Sequence, residues 1–296
     1  MIPARDLHDE PDAIPANMED AKDLYLDLVQ RCLLNYVYRQ AEETKAGISP
    51  GRALRRLRNL TAFALARFGV SWATIRGGTA EFDPQQREAG RDWPKYAHTM
   101  IGVKRLDNIR FCMESVIRDE VPGDVIETGV WRGGATIFMR AVLRAHGVAD
   151  RTVYVADSFR GLPPPNRERY PEDRKQVFHV FDELRVSRDE VQRNFERYGL
   201  LDDQVRFLEG WFSETLPRAP IDKLAVMRLD GDMYESTMDA LVNLYPKLSV
   251  GGYVIIDDYG AVPACRQAVA EFRRQRGIED PITSIDWTGV YWRRSR

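Results

Sequence analysis

The sequence predicts an α/β protein built on a doubly wound, mostly parallel sheet of seven strands. From residue 124 onward, short apolar runs typical of buried strands alternate with stretches that have helical spacing. Such alternation is typical of a parallel sheet with helices on both faces. Two further short apolar runs near the end of the chain predict an antiparallel hairpin at one edge of the sheet.

The predicted elements follow one another in a regular order. Helices are predicted over 105–118, 135–146, 188–198, 236–248 and 263–274. Strands are predicted over 124–127, 152–156, 205–208, 224–229 and 253–256, with the terminal pair over 283–285 and 289–292. The stretch 159–182 contains three consecutive prolines and mixed charges, so we expect a mobile cover over the site there.

Residues 1–92 show helical spacing with polar breaks and no strand alternation, unlike the rest of the chain. They predict a helical N-terminal extension or lid in front of an α/β domain that spans 93–296. Leu24, Leu28, Cys32 and Val37 fall near helical spacing. A second basic helix is expected over 52–68, where interleaved leucines favour a solvated helix face over a phosphate-binding patch.

Composition excludes several classes of protein. The 296 residues carry 43 Lys and Arg against 45 Asp and Glu, and the net charge of −2 argues against a nucleic-acid or anionic-membrane partner. The three cysteines lie far apart, so neither a local zinc site nor a disulfide framework is expected. With no signal-peptide pattern and no long apolar run, the sequence predicts a cytoplasmic protein that acts on a small molecule.

Carboxylates follow two of the predicted strands. Asp230 comes directly after the run 224–229, and Asp257 and Asp258 come directly after 253–256. Because ligands bind at the carboxyl ends of strands in open α/β sheets, we expect these three side chains to converge. Their hard oxygen atoms suit Mg²⁺, Mn²⁺ or Ca²⁺ better than zinc. The alternative is that these residues only cap helices and shape turns.

The turn after the first strand predicts the cofactor. It contains Glu127 and Gly129, followed by Gly133 and Gly134, which is not the G-x-G-x-x-G spacing of a dinucleotide fold. S-adenosylmethionine (SAM) needs no pyrophosphate cradle and suits this turn better than NAD. Asp157 closes the second strand and can accept hydrogen bonds from both ribose hydroxyls. It could instead only cap the loop at Ser158.

An ordered set of motifs between residues 96 and 259 resembles a known family. The motifs are His98-Thr-Met-Ile-Gly102, Val125-Ile-Glu-Thr-Gly-Val-Trp-Arg-Gly-Gly134, Val155-Ala-Asp-Ser-Phe-Arg-Gly-Leu-Pro163, Arg228-Leu-Asp-Gly-Asp-Met-Tyr-Glu-Ser-Thr237 and Asp257-Asp258-Tyr259. They are similar to those of the macrocin O-methyltransferases. These SAM- and Mg²⁺-dependent enzymes methylate deoxysugar hydroxyls on macrolides, aminocoumarins and related antibiotics.

The resemblance implies a Rossmann-like class I methyltransferase fold and a role for each matching residue. It implies Asp230, Asp257 and Asp258 as ligands of Mg²⁺ or Mn²⁺, and Asp232, beside the catalytic ligand Asp230, as the general base. The cofactor site would comprise Glu127, Gly129, Asp157 and Ser158, with Gly210, Trp211 and Phe212 near the adenine and Thr99, Met100 and Ile101 on the opposite wall. Members are commonly homo-oligomers.

The expected mechanism follows from this assignment. The metal would hold two neighbouring oxygens of a vicinal diol, and Asp232 would remove the proton of the hydroxyl that attacks the methyl group. Asp232 could instead orient a ligand, and His98 is expected to be structural. The rival functions are a catechol O-methyltransferase, a non-catalytic SAM-binding scaffold and a hydride-transfer enzyme. Five aromatic residues could line either a sugar or a catechol pocket: Trp211, Tyr234, Tyr259, Trp287 and Trp292.

Overall fold

The computed structural model of the protein describes residues 21–37, 83–92 and 94–296, and its centre is a seven-stranded sheet. The strands are β1 (Asp124–Thr128), β2 (Val153–Asp157), β3 (Val205–Glu209), β4 (Leu224–Leu229), β5 (Leu248–Ile256), β6 (Thr283–Ser284) and β7 (Val290–Arg293).

The sheet has the strand order β3-β2-β1-β4-β5-β7-β6. Strands β1 to β5 pair in parallel, whereas β7 is antiparallel to both β5 and β6. The predicted parallel sheet with an antiparallel edge is therefore confirmed. The strand order reverses direction between β1 and β4, the position at which open α/β sheets form a ligand crevice.

Helices cover both faces of the sheet. They are α1 (Ala21–Leu33), α2 (Pro84–Ala89), α3 (Val103–Arg118), α4 (Gly134–Ala145), α5 (Arg188–Arg197), α6 (Phe212–Thr215), α7 (Tyr234–Leu244) and α8 (Pro263–Arg276). Consecutive strand residues alternate between two hydrophobic clusters. Val125 and Ile255 pack with α1, α3 and α4, whereas Ile126 and Ile256 pack with α7 and α8.

Two element boundaries differ by more than two residues from those expected. Strand β5 begins at Leu248 instead of residue 253. The sequence predicted a later start because Gly251 and Gly252 interrupt the apolar run, but the strand continues through them with a shift in the β4–β5 register. Gly251 has a φ of 87°, which favours glycine. Helix α7 ends at Leu244 instead of residue 248, because Pro246 cannot donate the hydrogen bond that would continue an α-helix.

The N-terminal helix α1 belongs to the main core. Its buried residues Leu26, Val29 and Leu33 pack in the same cluster as α3 and α4. The basic helix expected over 52–68 lies outside the described residues, and the division of the chain at 92/93 stays a prediction. Among the helices of the described ranges, none is both long and apolar enough to cross a membrane.

Candidate active site

One cavity of about 770 Å³ opens at the carboxyl ends of β1 to β5. All the residues to which the sequence assigned a role line it: Thr99, Met100, Ile101, Glu127, Gly129, Asp157, Ser158, Gly210, Trp211, Phe212, Asp230, Asp232, Asp257 and Asp258. The sheet brings them together although they span 160 positions of the sequence. Their individual roles stay predictions.

The three expected metal-binding carboxylates converge at one end of this cavity. Asp230, Asp257 and Asp258 each offer an oxygen atom within 4.8 Å of those of the other two. The backbone N–H of Asp232 donates to Asp258 Oδ2 at 3.1 Å, with Asp232 held at a φ of 59°. The loop after β4 is therefore fixed against the loop after β5 by a bond to one of the three carboxylates.

Two buried arginines brace these acids, and the sequence analysis assigned neither of them a role. Arg228 is the next-to-last residue of β4, in register with Glu127 on β1, and donates to Glu127, to Asp257 and to Asp230 Oδ2 at 3.0 Å. Arg105 of α3 donates to Asp257 Oδ2 at 2.5 Å and to Asp286 Oδ2 at 3.0 Å. The structural role of Arg228 could have been inferred from the sequence, because it is a charged residue inside the apolar run 224–229.

The acids of this cluster differ in their protonation. Burial alone would raise the pKa of Asp257, but Arg105 and Arg228 outweigh it and hold that pKa below its ordinary value. Burial and the neighbouring Asp230 raise the pKa of Asp232 to about 8. Burial and the carboxylate of Asp257 raise the pKa of Asp230 to about 6. Burial together with Asp232 and Asp230 raises the pKa of Asp258 well above its usual range.

A divalent cation fits this set of donors. Both oxygens of Asp257 accept from arginines, but each carboxylate oxygen has a second lone pair that can face a metal. Asp258 forms no ion pair with any residue of the described ranges. Carboxylates that crowd together raise one another's pKa, and a hard cation bound between them would remove that repulsion.

The other end of the cavity is formed largely by backbone. Gly129 has a φ of 82°, and a Cβ atom there would lie 1.8 Å from the carbonyl oxygen of Asp230. A Cβ at Gly134 would lie 2.4 Å from the carbonyl oxygen of His98. Both glycines are therefore required by close approach of the protein's own backbone, and the cofactor contact assigned to Gly129 stays a prediction.

Asp157 caps the turn that follows β1. Its Oδ2 accepts from the N–H of Val130 at 2.8 Å, and its Oδ1 accepts from the N–H of Phe159 at 2.7 Å. The capping alternative is thus present in the structure. Asp157 Oδ1 also accepts from the Ser158 hydroxyl at 3.5 Å, and ribose binding by this carboxylate stays a prediction.

The wall formed by Thr99, Met100 and Ile101 is held by Arg87. The Arg87 guanidinium is buried and donates to the carbonyl oxygens of Thr99 at 3.2 Å, Met100 at 2.5 Å and Ile101 at 2.7 Å. Nothing in the sequence around α2 indicated this role. The arginine fixes three consecutive backbone positions of the expected cofactor wall.

Of the five aromatic residues considered, Trp211 and Trp287 line the cavity. Trp292 is buried in the core between the sheet and α8, and the hydroxyl of Tyr234 donates to Glu271 of α8 at 2.6 Å. His98 Nδ1 is hydrogen-bonded to the hydroxyl of Tyr198 at 2.8 Å, and burial lowers the pKa of His98 to about 4. The histidine is therefore neutral at pH 7, and its structural role stays a prediction.

The expected cover contributes residues to the cavity along most of its length. Leu162, Pro163, Pro164, Glu172, Lys175, Gln176 and Phe178 all line it. The segment contains short 3₁₀ turns at Pro171–Lys175 and Phe178–Val180. It is attached at its far end, where Trp131 Nε1 donates to the carbonyl oxygen of Glu183 at 2.9 Å.

Comparison with known families agrees with this geometry. The profile of the macrocin-O-methyltransferase (TylF) family matches residues 22–294. The chain belongs to this family.

Several curated members of the macrocin O-methyltransferase family are similar over most of the chain. A tetracenomycin 4′-O-methyltransferase of Streptomyces olivaceus, whose substrate carries a 2,3-dimethoxy-α-L-rhamnosyl group, is 52% identical over 278 residues, 94% of this chain and 95% of its own length. Mycinamicin III 3″-O-methyltransferase of Micromonospora griseorubida is 50% identical over 92% of this chain and 97% of its own length. Demethyldecarbamoylnovobiocin O-methyltransferase of Streptomyces niveus is 62% identical over 71% of this chain and 80% of its own length.

A solved structure agrees with the fold. The O-methyltransferase NovP superposes with a TM-score of 0.79 at 50% identity, covering 93% of this chain and all of NovP. The expected class I methyltransferase architecture is thus confirmed. This member of the macrocin O-methyltransferase family is an O-methyltransferase, and we set aside the hydride-transfer and scaffold hypotheses.

Proposed function

We propose that the protein transfers the methyl group of SAM to one hydroxyl of a vicinal diol, on a deoxysugar of a glycosylated natural product, with Mg²⁺ or Mn²⁺ bound at Asp230, Asp257 and Asp258. The observation that carries the proposal is the convergence of these three carboxylates beside Asp232 in a cavity large enough for a small-molecule acceptor. Cytoplasmic location and a homo-oligomeric state stay predictions.

The relatives support a sugar acceptor over a catechol. Two of their names specify methylation at a sugar hydroxyl position, 4′ in the tetracenomycin enzyme and 3″ in the mycinamicin enzyme. Because these positions differ between similar proteins, membership of the family does not determine which hydroxyl is methylated. That choice must come from how the acceptor half of the cavity orients the sugar.

SAM would supply an electrophilic methyl group when bound. We assign its ribose to Asp157, which lines the cavity at the end of β2, and its remaining contacts to Gly129, Glu127 and the Thr99–Ile101 wall. Arg87 fixes that wall, and the Arg228 guanidinium fixes Glu127. The chain thereby holds the cofactor site with groups that are already in position, which keeps the two reactants close.

A cation at the three aspartates would supply positive charge that makes a nearby hydroxyl more acidic. Asp232 would accept the hydroxyl proton on its carboxylate. Its backbone is held by Asp258, so the base is positioned relative to the proposed ligands. Without a cation, burial and Asp230 raise the pKa of Asp232 to about 8, and a cation bound at the neighbouring carboxylates would favour the ionised form that this step requires. A carboxylate is still a weak base toward an unactivated alcohol, which is why this proton transfer requires an acidified hydroxyl.

The acceptor half of the cavity is assigned to the cover and to the segment before β7. Leu162, Pro163 and Phe178 give this half apolar surface. Trp287 is 39% exposed, and its indole is held in place by a hydrogen bond from Nε1 to the carbonyl oxygen of Ala89 at 2.9 Å and by the Arg91 guanidinium 5.2 Å from its ring centre. A rigid aromatic face of this kind suits the apolar face of a sugar or its aglycone.

The test is methyl transfer from labelled SAM to a panel of deoxysugar-bearing natural products and simple catechols, each with Mg²⁺ and with excess chelator. We expect transfer to a glycoside, its loss with chelator and its return when Mg²⁺ is added in excess. Transfer that persists in chelator would refute the cation site. Transfer only to catechols would refute the sugar acceptor.

A further inference from the structure

Helix α7 begins directly after the loop that carries Asp230 and Asp232, yet it lacks a cap of its own. Its N-cap residue is Met233, which makes no capping side-chain hydrogen bond within the described chain. The first N–H groups of a helix have no partners inside the helix and need acceptors from elsewhere. Asp230 and Asp232, the nearest acids before the helix, line the cavity instead.

Asp173 of the cover supplies the missing cap. Its Oδ1 accepts from the N–H of Tyr234 at 2.8 Å, and its Oδ2 accepts from the N–H of Glu235 at 3.1 Å. The side chain is 0% exposed although it lies on a loop some 60 residues earlier in the chain. A negative charge at this end of a helix is also stabilised by the helix dipole.

Residues on both sides of this contact form the cavity. Glu172 and Lys175, which flank Asp173 in the cover, line it. The ring of Tyr170 packs against that of Tyr234 at 5.9 Å. Within α7, Ser236 Oγ donates to the carbonyl oxygen of Gly231 at 2.7 Å and so ties the first turn to the loop between Asp230 and Asp232.

We propose that Asp173 is a positioning residue that couples docking of the cover to the geometry of the loop that carries Asp230 and Asp232. When Asp173 is docked, the cover forms the roof of the acceptor half and α7 has its first N–H groups satisfied. When it is not, the roof is lost and the N-terminus of α7, together with the loop tied to it, is less well held. The assignment of this roof to the acceptor rests on the proposed function.

The decisive variant is Asp173→Asn, with Asp182→Asn as the matched control. Asparagine keeps the shape of the side chain but has one acceptor oxygen instead of two and no charge. Asp182 lies in the same segment, and its side chain is 85% exposed in an ion pair with Arg185. The control therefore removes a charge from the cover without touching α7.

We expect Asp173→Asn to raise KM for the acceptor about tenfold, because the apparent affinity falls in proportion to the fraction of molecules with a docked cover. The Kd for SAM should change by less than about twofold, since the cofactor wall is held separately by Arg87. Asp182→Asn should leave both constants unchanged. Equal values for Asp173→Asn and Asp182→Asn would overturn the proposal, as would a parallel loss of SAM and acceptor affinity.

Amide hydrogen exchange tests the coupling without any acceptor. In Asp173→Asn, exchange should accelerate about tenfold both in the cover, residues 159–182, and in residues 230–236, while α4 keeps its protection. Acceleration confined to Tyr234 and Glu235 would mean a local cap only and would overturn the coupling. This readout remains decisive if no acceptor in the panel is methylated, an outcome that would refute the proposed function alone.

A milder variant guards against loss of folding. Tyr170→Leu removes the ring contact with Tyr234 but leaves the buried carboxylate in place. We expect smaller changes in the same direction as in Asp173→Asn: faster exchange in the cover and in residues 230–236, and an acceptor KM raised about two- to threefold. If Asp173→Asn does not fold, unchanged acceptor KM and unchanged exchange in Tyr170→Leu would overturn the proposal.

Discussion

The two ends of the cavity hold buried acids in opposite ways. At the cofactor end, Asp157 accepts from the peptide N–H groups of Val130 and Phe159, so the chain's own dipoles satisfy it. At the other end, Asp230, Asp257 and Asp258 crowd together with oxygen atoms within 4.8 Å of one another. The first acid is held by backbone hydrogen bonds, whereas the second end holds more carboxyl groups than its two arginines can balance if all are ionised.

Acidic groups outnumber basic groups at the second end of the cavity. Five carboxylates, those of Glu127, Asp230, Asp232, Asp257 and Asp258, lie near two guanidinium groups, those of Arg105 and Arg228. The two arginines form ion pairs with Glu127, Asp230 and Asp257 and leave Asp232 and Asp258 without a cationic partner among the described residues. They fix the arrangement of the acids without neutralising it.

The largest effect is expected from Asp258→Asn. The substitution removes a charged ligand from the proposed cation site while keeping its shape, so methyl transfer should fall by at least about a hundredfold, beyond the 10- to 100-fold typical of residues behind a metal's ligands. Mg²⁺ should also no longer raise the melting temperature, because ligand binding to the folded state is what stabilises it. Steady-state rates and thermal melts with and without Mg²⁺ measure both effects.

The matched control is Asp222→Asn, an exposed aspartate in the loop before β4. It should keep wild-type activity and the response to Mg²⁺. Wild-type rates in Asp258→Asn would show that the acid cluster does not bind a catalytic metal, and the comparison between the two ends would lose its basis.

The sequence was sufficient to predict the fold and the location of the site. Strand-length apolar runs that end in Glu127, Asp157, Asp230 and Asp257 place acids at one edge of a parallel sheet, because strand order and direction follow from the alternation of elements. The cofactor, metal and catalytic residues predicted from sequence do line one cavity, whereas Tyr234, Tyr259 and Trp292 do not. The local sequence pattern is therefore sufficient to predict the position of a candidate site whose residues lie at the ends of strands.

The partners of those acids could not be predicted in the same way. Arg87, Arg105 and Asp173 act across 12 to 181 residues of sequence, in contacts that only the packed structure defines. From a single sequence, a polar residue on a helix or loop that is buried against a partner cannot be distinguished from one that is exposed to solvent. Arg228 is the exception, since a charge inside a buried strand must be paired.

The next effect separates cofactor binding from stability. Asp157→Ala leaves the N–H groups of Val130 and Phe159 unsatisfied and removes the proposed ribose acceptor, so we expect SAM affinity to fall about tenfold or more. The free energy of unfolding should fall by about 1–3 kcal/mol. Isothermal titration with SAM and denaturant unfolding measure the two quantities.

Asp124→Ala is the control at the opposite edge of the same sheet. Asp124 Oδ1 accepts from the N–H of Thr152 at 2.7 Å, so its loss should also destabilise the protein. It lies at the start of β1, away from the cavity, and SAM affinity should not change. If both variants lose SAM affinity equally, Asp157 acts only through the stability of the sheet.

The smallest effect is a pH dependence of stability that should distinguish the two ends of the cavity. Without metal, the pKa of Asp230 is raised to about 6 and that of Asp232 to about 8, mainly by burial. A carboxyl whose pKa is higher in the folded state stabilises that state while it is protonated, and this contribution is lost as pH rises through the folded pKa. The metal-free protein should therefore become less stable between pH 6 and pH 8.5.

Saturating Mg²⁺ should reverse this trend, because a cation favours the ionised carboxylates and binds more tightly as they lose their protons. Thermal melts at pH 6.0, 7.0 and 8.5, with Mg²⁺ or with chelator, should diverge by several degrees at the high end and converge at the low end. Asp232→Asn removes the group that titrates near pH 8 and should flatten the curve in chelator. An identical pH dependence in chelator for wild type and Asp232→Asn would mean that Asp232 does not titrate with a raised pKa at this end of the cavity.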